Sequence, residues 1–133
     1  MAIYNGYNQY KENSIYTSTP EELVLMLYNG LVKFIMQAQS AVEERNYEKA
    51  NHTIKKAQDI VAHFQSTLDM KYEISKDLMK LYDYMYSRLL DANIRKDISI
   101  LKELLTFAKE LRDTWSKAMK LAKRSGNKQP VVK

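Results

Sequence analysis

The sequence predicts an all-α protein, an antiparallel up-down-up-down four-helix bundle preceded by an N-terminal tail or short capping segment. Three observations carry that prediction. Glycine and proline together number only five in 133 residues, so turn formers are scarce. No stretch alternates like a strand, whereas apolar residues recur at steps of three and four. The links between the periodic stretches are short, and short links make successive long helices antiparallel neighbours.

The first helix has a defined start. In "STPEEL", Thr19 stands at the N-cap, Pro20 at N1 and Glu22 at N3, which is a capping box with negative charge in the first turn. The spacing predicts a helix from Pro20 to about Glu44. Ala50, Ile54, Ala57, Val61, Phe64 and Leu68 form a heptad-like seam for a second helix, about Tyr47 to Asp69. Leu78, Leu81, Tyr82, Met85, Leu89 and Ala92 predict a third, about Ile74 to Asn93. The fourth runs through Leu101, Leu105, Ala108, Leu111, Trp115, Ala118 and Ala122, capped by Asp97 and stopped at Gly126. This divides the chain into a capping segment (1–18), a bundle (19–124) and a basic flexible tail (125–133).

Charge and composition narrow the function. There is no cysteine, which excludes disulfides and thiolate chemistry. The N-terminus lacks a basic region followed by an apolar run, so it does not read as a secretory signal. The most apolar stretch, residues 23–36, contains Asn29 and Lys33 and is shorter than the roughly 18 apolar residues a membrane span requires. A soluble protein is expected. The net charge of +5 arises at one end. Residues 117–133 hold six basic and no acidic side chains, leaving 15 basic against 16 acidic in the first 116 residues. A near-neutral body argues against a nucleic-acid-binding bundle, which needs a basic stripe with interleaved aromatics on a folded face.

Reactive constellations are also missing. A carboxylate-bridged di-iron bundle uses two Glu-x-x-His pairs, but Lys49 and Ile60 stand three residues before His52 and His63. Those histidines lie about three helical turns apart, too far to share an ion. No Gly-rich phosphate loop or Ser-His-acid set is present. Arg88, Arg95 and Arg112 read as surface residues. Neither a metal nor another cofactor is implied.

Hydrophobicity exceeds what a core needs. An amphipathic helix uses about 3/7 of its positions for its apolar face, yet 11 of the 14 positions from Leu23 to Met36 are apolar or Tyr. This helix is either the most enclosed one or is covered by something besides its three partners. In "LYDYMY", Tyr82, Tyr84 and Tyr86 cannot all face one core. Tyr4, Tyr7 and Tyr10 recur every third residue in the tail and would share one side of a helix, fit to lie in an apolar groove.

With "LVLMLYNGLVKFI", "KKAQDIVAHFQSTLD", "LYDYMYSRLLDANIRKD" and "LRDTWSKAM" in order, after the tyrosine-bearing "YNGYNQYKENSIYTSTPEELV", the chain resembles the flagellar export chaperone family FliS. The resemblance covers residues 1 to 120. It implies a cytoplasmic chaperone, not an enzyme. Such a chaperone binds the disordered C-terminal segment of flagellin, prevents premature polymerisation and delivers it to the membrane-embedded export gate, without itself inserting into the membrane. It also implies that Tyr4, Tyr7 and Tyr10 form a lid over the client site or dock at the gate, Tyr7 and Tyr10 above all.

A disordered client that folds on its partner loses conformational entropy, so the partner must offer a large apolar surface. The residues expected to line it are Leu23, Leu27, Tyr28 and Leu31 on the first helix, Ile60 on the second, and Tyr82 and Tyr86 on the third. Ile60 is chosen because it is strongly apolar yet off its helix's seam. Gly30 would let another backbone approach closely. A monomer and a homodimer joined through exchanged tails satisfy the sequence equally.

Overall fold

The computed structural model describes residues 17–125. They form four helices: α1 (Pro20–Glu43), α2 (Tyr47–Thr67), α3 (Glu73–Arg95) and α4 (Ile98–Arg124). Each helix packs on its successor and α4 closes on α1, giving a four-sided bundle with antiparallel neighbours. The predicted fold class is the one observed. Residues 1–16, with Tyr4, Tyr7 and Tyr10, lie outside the described residues, as does the tail from Gly126 onward.

Local chemistry starts and stops these helices. The Thr19 hydroxyl accepts from the Glu22 N–H at 3.2 Å, and the Glu22 carboxylate accepts from the Thr19 N–H at 3.5 Å, completing the expected capping box; that carboxylate also accepts from the Thr19 hydroxyl at 2.9 Å. Asn46 caps α2 by accepting from the Lys49 N–H at 3.2 Å. Asp97 caps α4, accepting from the Ser99 N–H at 2.9 Å and the Ser99 hydroxyl at 2.6 Å. These bonds, led by the hydroxyl, hold the Asp97 carboxyl below its ordinary range.

The turns after α1 and α3 pass through left-handed backbone at Arg45 (φ 59°) and Lys96 (φ 51°). Glycine is the usual residue at such positions, and its absence leaves both turns without a sequence signal. The Lys96 ammonium bonds the Asn93 carbonyl at 2.6 Å, tying that turn to the helix before it.

The core follows the middle of the predicted seams, while Leu68, Leu78, Leu81, Leu111, Ala118 and Ala122 at the looser end are only half-buried and one position of α4 is displaced. On α2, Ala50, Ile54, Ala57, Val61 and Phe64 are buried, joined by Thr53. On α4, Leu104 has no accessible surface, while Leu105, which the predicted series used, is half-buried. Small residues on α1 and α2 (Ala38, Ala41, Ala50 and Ala57) are wholly enclosed. Gly30 sits on the same seam, but its close neighbour is a side chain. A Cβ there would stand 3.2 Å from Cδ1 of Ile60, so the expected backbone approach gives way to side-chain packing.

The two ends of the bundle differ. Leu23, Val24, Leu25, Met26 and Leu27, at the start of α1, are all half-buried, and no residue of α4 beyond Trp115 is fully buried. The last nine residues of α4 are at most half-buried, with Met119 packed on the core, and carry Lys117, Lys120, Lys123 and Arg124.

Arg45 is exposed and pays the steric cost of left-handed backbone, roughly 1–2 kcal/mol for a residue with a Cβ. After the entropy that glycine adds to the unfolded chain, Arg45→Gly is expected to stabilise by about 0.5–1 kcal/mol. A urea midpoint that stays level or falls would contradict this.

Candidate functional site

Trp115 organises the looser end. Its indole ring is buried, and Nε1–H donates to the main-chain carbonyl of Glu21 at 3.0 Å. This bond holds the second half of α4 against the first turn of α1. The seam between α3 and α4 is the sparsest of the four, and a cavity of about 390 Å³ opens there. Ile74, Leu78 and Leu81 form its α3 wall; Phe107, Leu111, Trp115 and Ala118 form its α4 wall. Tyr28 reaches it from α1, and Glu110 and Thr114 add the polar edge. The volume lies in the range of ligand pockets, roughly 300–1,000 Å³. Apolar walls with few polar groups suit the anchor side chains of an amphipathic helix.

Further along the seam α3 and α4 make a defined polar contact. The Tyr84 hydroxyl donates to the Glu103 carboxylate at 2.8 Å, and the Tyr84 ring meets Phe107 edge-on at 6.1 Å. Hydrogen bonding to Glu103 is the main reason that the Tyr84 phenol is shifted up.

Behind the cavity, three rings join three helices. Tyr28 of α1 and Tyr82 of α3 share a hydroxyl–hydroxyl bond of 2.8 Å. Phe64 of α2 lies against both, with ring centroids 4.6 Å from Tyr28 and 5.5 Å from Tyr82. Tyr28 is 5% exposed and Tyr82 3%. Loss of water around them, above all, drives both phenols above the ordinary value of 10.0.

The residues expected to bind a client fall in different places. Tyr28 lines the cavity. Leu23, Leu27 and Ile60 are half-buried, and Ile60 packs on α1 opposite Gly30. Leu31 has no accessible surface and Tyr82 backs Tyr28, so neither offers a face to a partner in this conformation. Tyr86 is 39% exposed and begins a stripe that continues at Leu90 and Ile94, four residues apart.

Sequence reasoning took the cavity residues of α3 and α4 for ordinary seam, or passed over them. One signal was available. Phe107, like Ile60, is strongly apolar and off the seam of its helix.

Other chemistry finds no foothold among the described residues. His52 and His63 are exposed, and no group of His, Asp or Glu is placed to hold a metal ion. Arg88 pairs with Asp91 at 3.1 Å and Arg112 with Asp113 at 2.9 Å. No described helix is long and apolar enough to cross a membrane.

Comparison with known proteins identifies the setting. The family model described as "Flagellar protein FliS" matches residues 3–122. The chain belongs to the FliS family. It is 44% identical over 119 residues to the flagellar secretion chaperone FliS of Bacillus subtilis, covering 90% of each chain. Identity to FliS of Escherichia coli is 28% over 111 residues, covering 81% of this chain and 82% of that one. Identity to FliSB of Pseudomonas aeruginosa is 30% over 121 residues, covering 86% and 96%. FliS is a family of chaperones rather than enzymes.

The buried tyrosine pair should make this bundle sensitive to alkali. Both phenols stay protonated in the folded state at pH values where the unfolded chain would ionise them. The stability they contribute is intact below pH 10.0 and lost as the pH rises above it, because unfolding then releases protons. Urea unfolding from about pH 8 to about pH 11 should show this decline, and Tyr28→Phe/Tyr82→Phe should flatten it. A double variant with an undiminished alkaline slope would refute the assignment.

Proposed function

We propose that this chain is a cytoplasmic export chaperone that binds the disordered C-terminal segment of flagellin, prevents its premature polymerisation and delivers it to the flagellar export gate. The observation that carries the reading is the apolar cavity between α3 and α4, open along the seam of a FliS-family bundle. A secreted client must be kept from assembling while it is still in the cell. Its terminal segment must therefore bury its apolar face against the chaperone rather than against other copies. Ordering that segment costs entropy, which burial of apolar area offsets. An amphipathic helix would lay anchors spaced three and four residues apart into the cavity, against Leu78, Leu81, Phe107 and Leu111.

The residues singled out from the sequence take graded roles here. Tyr28 touches the client at the cavity wall, with Tyr82 and Leu31 supporting it from the core. Leu23, Leu27 and Ile60 give the client a second apolar edge beside α1, and Tyr86 extends contact along α3. Tyr4, Tyr7 and Tyr10 belong to a segment tethered beside this surface. It joins α1 at the turn whose Glu21 carbonyl holds Trp115, a wall of the cavity. Tethering raises effective concentration into the millimolar range for a short linker, enough for a weak lid that a client displaces. The same tyrosines, once displaced, are free to dock at the gate. A homodimer would form if tails were exchanged between copies.

Calorimetric titration with a flagellin C-terminal peptide tests this. The expected result is a one-to-one complex with a large negative heat-capacity change, tighter in a chain lacking residues 1–16. Ile74 is 51% exposed, so Ile74→Asp should keep the fold yet weaken binding at least tenfold by placing a charge on the cavity wall. Equal affinity with and without residues 1–16 would leave the tyrosines to gate docking alone. No binding by either chain would refute the client.

A further inference from the structure

The hydroxyls of Tyr28 and Tyr82 carry two protons between them and make one hydrogen bond. A phenol is both donor and acceptor, so whichever hydroxyl accepts in that bond still has its own proton to place. No other bond to either hydroxyl is made among the described residues. Buried polar groups are almost always satisfied, and a donor left over in an apolar interior is costly.

The two arrangements of the pair differ in where the spare proton emerges. If Tyr28 donates to Tyr82, the proton is left on Tyr82, which is buried and forms no part of the cavity wall. If Tyr82 donates to Tyr28, the proton is left on Tyr28, which lines the cavity. Phe64 packs on both rings, which confines them to this face of the cavity.

We infer that Tyr28 presents a hydrogen-bond donor to the occupant of the α3–α4 cavity, oriented by a bond from the Tyr82 hydroxyl to the Tyr28 oxygen, and so selects an occupant with a carbonyl oxygen among its apolar anchors. This rests on the reading of the cavity as the client site. A neutral carbonyl, from a side-chain amide or the last turn of a helix, fits better than a carboxylate, whose charge would be stripped of water between Leu and Phe walls. Purely apolar walls rank clients by shape and volume alone. One buried donor adds a polar requirement, because a client without an acceptor leaves it unpaired. Tyr28 is thus a specificity residue, and Tyr82, which does not line the cavity, is a positioning residue behind it.

The test uses the asymmetry of the pair. Tyr28→Phe and Tyr82→Phe delete the same hydroxyl–hydroxyl bond and keep both rings against Phe64, so urea unfolding of the free variants should show similar losses. Their affinities for the flagellin C-terminal peptide should differ. Tyr28→Phe removes the donor and is expected to weaken binding about tenfold, as for loss of one buried hydrogen bond. Tyr82→Phe keeps the Tyr28 donor but removes the bond that orients it, so it should weaken binding clearly less, by about two- to threefold. The double variant should bind like Tyr28→Phe. Equal affinities for both single variants, whether lowered alike or unchanged, would overturn the inference and leave a structural pair. If the unaltered chain fails to bind the peptide, the client reading falls first and this inference falls with it.

Discussion

One hydrogen bond decides how this bundle is open. The indole of Trp115 could satisfy its N–H in many ways, but it reaches a main-chain carbonyl in the first turn of α1. A backbone carbonyl has a second lone pair to offer, so Glu21 can accept this bond without leaving its helix. The contact fixes the second half of α4 to α1. On the other side of α4, against α3, contacts are sparser and the cavity lies there. The opposite end has no such division. There Ala41, Ala92 and Leu101 are fully enclosed close to the short connections.

The aromatic cluster makes the open seam tolerable. Tyr28, Phe64 and Tyr82 join α1, α2 and α3 without help from α4. Trp115 joins α4 to the same α1. Both attachments converge on one helix, so α3 and α4 can differ in spacing while each remains anchored. This explains the composition of α1, whose apolar residues run nearly all round. It supplies packing for α2 and α4 directly and carries the tyrosine that reaches α3. Its first two turns stay half-buried because they stand where the bundle is least closed. Of the two readings of that surplus, enclosure by partners accounts for the middle of the helix and not for its start.

The fold was legible because its signals are local. Thr19 with Glu22, and Asp97, announce helix starts through side chains that can bond their own backbone. The α2 seam repeats so regularly that its buried face follows from spacing alone. The fourth helix was harder, since Leu104 and Leu105 are equally apolar neighbours and only the partner helices decide which one turns inward. The site was less legible for the same reason. Tyr82 and Tyr86 look alike in sequence, yet one is bonded to Tyr28 in the interior and the other faces solvent. Position relative to the Trp115 bond, which links residues 94 apart in sequence, separates cavity from core, and no window of local periodicity contains it.

The last turns of α4 follow a different logic from the rest of the molecule. Beyond Trp115 no side chain is fully buried, although Met119 packs on the core and Ala118 lines the cavity. To that partial packing is added the alignment of peptide dipoles, which leaves a partial negative charge at the C-terminal end. Lys123 and Arg124 occupy that last turn, with Lys120 one turn before. Their charges oppose the dipole favourably, by about 0.3–1 kcal/mol each at low ionic strength. Salt screens such interactions over about 8–10 Å at physiological strength. The helix end beyond Ala118, at the edge of the cavity, is therefore held by electrostatics as well as by partial burial, and the electrostatic share weakens as salt rises.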